Sequence, residues 1–235
     1  MIFRKNLPLL FLSLTLIFTG CKNATTGEDK QNQDNSEPKE NLSDIIFPKQ
    51  NNNASGACSL AYYLALTNQI EAEEIEDTAQ EIYEAVKFDP QAEDGFFSYC
   101  NPLYLAEAAA NFDNYVEIKM TRPDAPSKAE EVLSLLLERI GIEEESYTVI
   151  SSIEDSLAKD QYLIEILIPE NAESSIDLEE ITDNKIHYVL SYWYEDKLVT
   201  RDPFRGDQQP RSSFIDGSIE SWQFCNGGIF LKPKN

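Results

Sequence analysis

The sequence predicts an α+β domain, helices in its first half and an antiparallel β-sheet in its second. Two patterns carry this. Up to about residue 140, apolar residues recur at three- and four-residue spacing; beyond it come β-branched and aromatic runs bounded by turn formers. Helices first and strands later is the order of elements segregated around one core. About 190 residues from Asp44 onward suffice for one such domain.

The first residues do not belong to that domain. "MIFRKNLPLLFLSLTLIFTGC" has a basic head (Arg4, Lys5), an apolar run and small residues before Cys21, the three-part pattern of a secretory signal over residues 1–20. "FTGC" resembles the lipobox of bacterial lipoproteins, with Phe18 where Leu is usual; the resemblance implies cleavage before Cys21 and lipid attachment to it. Residues 21–43 contain no aromatic side chain, and between Cys21 and Ser43 only Ala24 and Leu42 are apolar. Such a segment cannot bury enough surface to offset its ordering entropy, so a disordered tether is expected. The domain then occupies residues 44–235.

Within it, "ASGACSLAYYLALTNQ" turns helical after a small-residue start, with Leu60, Tyr63, Leu64 and Thr67 on one face and Cys58 in the first turn after a Gly-containing loop. An acidic helix from Ala72 to Val86 buries Ile75, Ala79, Ile82 and Val86. Asn101 and Pro102 start a third helix as cap and first residue. Ser127 and Glu130 form a capping box on a fourth that ends at Gly141. A short helix near Ile153–Ala158 precedes the strands "QYLIEILIP", "HYVLSYWY", "KLVTRD" and "GGIFLK", and "YTVIS" supplies one before it. "YEDK" suits a hairpin. Gly227 and Gly228 read as a turn before the last strand, and the aromatic cluster Tyr188, Tyr192, Trp193 and Tyr194 reads as packing.

The formal net charge is −23; loss of Arg4 and Lys5 with the leader leaves 17 basic against 42 acidic residues, a net −25. That opposes nucleic acid or an anionic membrane surface as the main partner. Much of the charge lies on helix faces such as "EAEEIEDTAQEIYEAV", where it is solvation. A single histidine, His187, makes a protein zinc site improbable, and no phosphate loop is present. Cys100 and Cys225 lie in loop-like contexts, open either to a bridge or to two free thiols.

Cys58 and His187 suggest a chemistry together. A thiol attacks as thiolate, and a helix N-terminus and a nearby imidazole both favour the anion. A cysteine on a helix start with a histidine on a distant strand is the arrangement of nucleophilic acyl transfer. The imidazole needs a partner for its second nitrogen, and the hairpin through "YEDK" would return Asp202 to its side.

"HYVLSYWYEDKLVTRDPF" resembles the histidine-to-aspartate segment of papain-like bacterial cysteine peptidases related to bacteriocin-leader-processing (double-glycine) domains. "SIEDSLAKDQYLIEILIP" is similar to the helix and strand that lead to their histidine, and "PKQNNNASGACSLAYYLAL" to their nucleophile region. The resemblance spans about Phe47 to Phe204. It implies a papain-like fold, Cys58 as nucleophile, His187 as general base and acid, Asp202 as orienting residue, and Gln50 as oxyanion donor beside the Cys58 N–H. Two departures stand out: Gln50 lies eight residues before Cys58 rather than six, where Asn52 stands, and Ser59 replaces the usual Gly. The expected function is an exported, lipid-anchored cysteine peptidase acting on peptide or protein without metal or cofactor. The alternatives are a papain-like lipoprotein that binds peptide without cleaving it, and a related amidase or transglutaminase-like enzyme.

Overall fold

The computed structural model of the chain describes residues 53–88, 99–142, 146–169, 186–203, 208–212 and 222–234. The chain divides into Met1–Glu37 and Pro38–Asn235, and every described residue lies in the second unit. The expected leader (residues 1–20), the expected lipidated Cys21 and tether (residues 21–43), Gln50 and Asn52 lie outside the described residues.

Four helices lead: α1 (Ser55–Leu66), α2 (Ile75–Val86, after a 3-10 turn at Ala72–Glu74), α3 (Pro102–Asn111) and α4 (Lys128–Arg139). All twelve residues of α1 are buried. It is apolar nearly all round, as a helix must be to run through a core rather than over it. The acidic α2 is its opposite: Ile75, Ala79, Ile82, Tyr83 and Val86 are buried while its carboxylates stay in water. Both predicted caps form. The Asn101 side chain accepts from the Leu103 N–H at 2.9 Å, and Ser127 and Glu130 close their capping box.

The strands are β1 (Asn114–Thr121), β2 (Thr148–Ile150), β3 (Tyr162–Pro169), β4 (His187–Tyr194), β5 (Lys197–Arg201), β6 (Gln208–Pro210) and β7 (Trp222–Pro233), with the single-turn α5 (Ile153–Ser156) between β2 and β3. They form one sheet in the order β2-β1-β7-β3-β4-β5-β6. All pairings are antiparallel except β1 with β2, which run parallel and are joined through α4. The expected mixed class is therefore observed, with one parallel pair in the otherwise antiparallel sheet. Glu195 and Asp196 turn the β4–β5 hairpin with φ of +46° and +61°, the left-handed pair of a type I′ turn.

Alternation along β3 and β4 defines two faces. Ile164, Ile166, Ile168, Tyr188, Leu190 and Tyr192 join the helices in the main core. Leu163 packs on the opposite face with Ile153, Leu157 and Phe230, and Leu167 with Val189 and Phe224. Both faces are covered, so the central strands read as nearly continuous apolar runs.

Gly227 and Gly228 do not make a turn. They lie inside β7, where a Cβ on Gly228 would stand 2.1 Å from the Ile164 carbonyl oxygen, so only glycine allows the backbones to approach. Ahead of them β7 bulges: Glu165 pairs with Gly228 but Leu167 with Phe224. The extra residues include Asn226, at φ +48°. Cys58, Cys100 and Cys225 are all buried and outside any disulfide, so no Cys100–Cys225 bridge forms. Neither of the latter two sits in a simple loop: Cys225 is in β7, and Cys100 pairs with Lys87 in an isolated bridge.

Candidate active site

The hairpin brings His187 and Asp202 together as the sequence predicts. His187 Nε2 lies 3.0 Å from Asp202 Oδ1, and the two residues are 1% and 2% exposed. A carboxylate can only accept, so Nε2–H donates, which fixes the tautomer of the ring. The indole of Trp222, at the start of β7, packs on the imidazole with centroids 5.2 Å apart and helps close the pair off from water.

Cys58 reaches this region through α1. The Ser55 hydroxyl, in the first turn, accepts the Tyr188 N–H at 3.1 Å, pinning the helix start to the strand residue beside His187. Cys58 follows Ser55 by three residues, about one turn, and so lies on the same side of the helix. The pleat of β4 sends Tyr188 toward α1 and His187 toward Trp222 on the other face.

Two features of Cys58 depart from expectation. The helix begins at Ser55, so Gly56 is helical rather than in a preceding loop and Cys58 is the fourth helical residue. Its N–H is consequently bonded to the Ala54 carbonyl at 2.9 Å and is not an oxyanion donor. Burial raises the Cys58 thiol well above its ordinary value, and nearby Cys100 raises it further, against a smaller pull from backbone hydrogen bonding. The helix-start effect favours Cys100 instead. Its sulfur lies 3.6 Å from the Asn53 carbonyl and draws on the N–H groups of Ala57 and Gly56, although burial still pushes it up to about 12. A Cβ on Gly56 would come within 2.9 Å of Cys100 Cβ, so the glycine makes room for that side chain. Asn53, an amide the sequence reading did not consider, is buried just ahead of α1, and its Oδ1 makes no hydrogen bond among the described residues.

The outer face carries a second buried polar group that the sequence reading missed. Arg211 grips Glu165 with two bonds, Nε to Oε2 at 3.1 Å and Nη2 to Oε1 at 2.7 Å, and reaches Glu154 at 2.8 Å and Asn226 at 3.1 Å. The Ser191 hydroxyl donates to Glu165 at 3.1 Å and bonds Thr200 at 2.8 Å. Burial pushes the Glu165 carboxyl up against the pull of Arg211; Glu165 and Glu154 in turn outweigh the effect of burial on Arg211 and keep it charged. The signal was a lone Glu inside the apolar run "YLIEILIP".

No family model, curated protein or solved structure matches the chain.

Proposed function

We propose that this chain is an exported, lipid-anchored cysteine peptidase of papain-like architecture, with Cys58 as nucleophile, His187 as base and acid, and Asp202 as orienting residue. The buried His187–Asp202 pair at 3.0 Å carries the reading, because an imidazole held this way is prepared to move protons. With Nε2 engaged by Asp202, exchange with the thiol falls to Nδ1.

The raised thiol dictates the order of events. Cys58 rests protonated, so His187 takes its proton as the sulfur attacks the peptide carbonyl carbon. A C–S bond forms and the carbonyl π pair moves to oxygen. The imidazolium then protonates the leaving nitrogen, the C–N bond breaks, and a thioester and an amine result. Water adds to the thioester, giving its proton to His187, and the carboxylic acid leaves as the thiol is restored. No metal or cofactor enters this scheme. The side-chain oxyanion donor of the resemblance, Gln50 or Asn52, lies outside the described residues, and the Cys58 N–H is already committed to Ala54.

The second reading is a papain-like lipoprotein that binds peptide without cutting it. It is favoured by the 1% exposure of Cys58. One experiment decides between them. Under the peptidase reading, iodoacetamide modifies Cys58 ahead of Cys100 and Cys225, and His187→Ala slows that modification. Peptide hydrolysis disappears with Cys58→Ala. Equal labelling of the three thiols, with no Cys58-dependent hydrolysis, would leave the binding protein.

A further inference from the structure

The parallel strands β1 and β2 end beside a cleft of about 310 Å³, large enough for a side chain or small ligand. Residues following the carboxyl ends of both strands line it, Arg122 after β1 and Ser151 after β2; Glu130 of α4, Glu154 of α5 and Asn226 of the β7 bulge complete it. Clefts outside the carboxyl ends of parallel strands are where open sheets commonly take ligands.

Glu130 gives this cleft its character. It is 6% exposed, and its carboxylate accepts from the Thr121 hydroxyl, from the Ser127 N–H at 2.7 Å and from Asn226 Nδ2 at 3.2 Å. Those donors are all neutral, and among the described residues no Lys, Arg or His pairs with it. They hold its carboxyl below the usual range although burial pushes the other way, so the negative charge is fixed. Of the two cations beside the cleft, Arg211 is already bound to Glu165 and Glu154, and Arg122, which lines it, forms no ion pair with Glu130 among the described residues. A buried carboxylate that opens on a cleft and has only neutral partners invites a cation.

The sheet register relates the cleft to the candidate active site. Met120 pairs with Gly227 on β7, β7 pairs with β3, and Leu167 of β3 pairs with His187. The cleft and His187 therefore stand at the same end of the sheet. The strands β1 and β4 are three strand spacings apart, about 14 Å, and an extended peptide advances about 3.4 Å per residue.

We propose that the cleft receives the ammonium or guanidinium group of a basic residue in a peptide substrate, about four residues from the bond cut at Cys58. The substrate role rests on the peptidase reading, whereas cation binding does not, and the test separates them. The full chain carrying Cys58→Ala is titrated with n-butylamine and with n-butanol while the backbone amides of Thr121, Ser151 and Asn226 are followed by NMR. The amine should shift these amides saturably and the alcohol should not. Glu130→Gln keeps a residue suited to the capping box but removes the charge. It should weaken amine binding at least tenfold, as should Ser151→Lys at the rim. In the wild-type chain, peptides with Lys four residues from the cut should then exceed their norleucine counterparts at least tenfold in kcat/KM, and Glu130→Gln should erase that preference. Equal shifts from butanol, amine binding indifferent to both variants, or a Lys preference that survives Glu130→Gln would overturn the proposal. Amine binding without Cys58-dependent hydrolysis would overturn the substrate role and leave a cation receptor.

Discussion

Two acid–base pairs lie buried on one face of the same sheet, and they differ in what they can do. His187–Asp202 joins an imidazole, which can both give and take a proton, to a carboxylate through one bond of 3.0 Å. Arg211–Glu165 joins a cation that never loses its proton in the physiological range to a fully buried carboxylate through two bonds. Equal burial therefore does not mean equal role. The first pair can pass a proton; the second holds the β7 bulge, α5 and the β3–β5 face together through Asn226, Glu154, Ser191 and Thr200.

The largest effect that would break this comparison is in stability. Arg211→Met leaves Glu165 buried without its countercharge, which costs about 3–5 kcal/mol. At roughly 2–4 °C per kcal/mol for a domain of this size, the melting temperature should fall by about 10 °C. Adding Glu165→Leu should recover most of the loss, because an apolar pair of similar volume fills the space without a stranded charge. Thermal and urea unfolding check both variants. A loss below about 1 kcal/mol for Arg211→Met would show that the pair is not a structural clamp.

Next comes the His187–Asp202 side, where the proposed peptidase reading expects a change in rate. Asp202→Ala frees the His187 ring to turn, and peptide hydrolysis should fall roughly 100-fold, about 2.7 kcal/mol in the barrier. Asp202→Asn keeps an oxygen for Nε2–H and should recover much of that loss, which a general weakening of the fold would not explain. Arg211→Met, assayed below its lowered melting temperature, should leave kcat near the parent value. If the two substitutions reduced kcat alike, the division between a proton-moving pair and a clamping pair would not stand.

Local periodicity made most of the framework legible. The helices around Leu60, Ile75, Leu105 and Leu133, the Asn101 and Ser127 caps and the type I′ turn at Glu195–Asp196 each follow from a few neighbouring residues. The His187–Asp202 contact was legible for the same reason, since one tight hairpin sets its register. What escaped depends on distant partners. Strand β1, "NYVEIKMT", alternates apolar and polar residues, yet it directly follows a helix and pairs with β7 more than a hundred residues away. The two glycines look like a turn until Ile164 on β3 is seen against them. Glu165 and Arg211 lie 46 residues apart, and no local pattern joins them. The Cys58 N–H was misread through one turn of helix: a start at Ser55 consumes a donor that a later start would leave available.

The smallest effect sharpens the comparison on α1 itself. Ser55 and Ser59 stand four residues apart on one side of the helix, both buried, at 1% and 0% exposure. The Ser55 hydroxyl accepts the Tyr188 N–H, whereas the Ser59 hydroxyl makes no hydrogen bond among the described residues. Ser55→Ala should therefore cost about 1 kcal/mol, because it strands a buried backbone donor beside His187. Ser59→Ala should gain up to about 1 kcal/mol, since it removes an unsatisfied hydroxyl and installs the best helix former. Opposite signs in urea unfolding of the two variants are the expected outcome. A loss in Ser59→Ala would reveal a polar partner for that hydroxyl one residue from Cys58, and the Ser that stands where the resembling family carries Gly would then belong to the proposed site rather than to the packing of the helix.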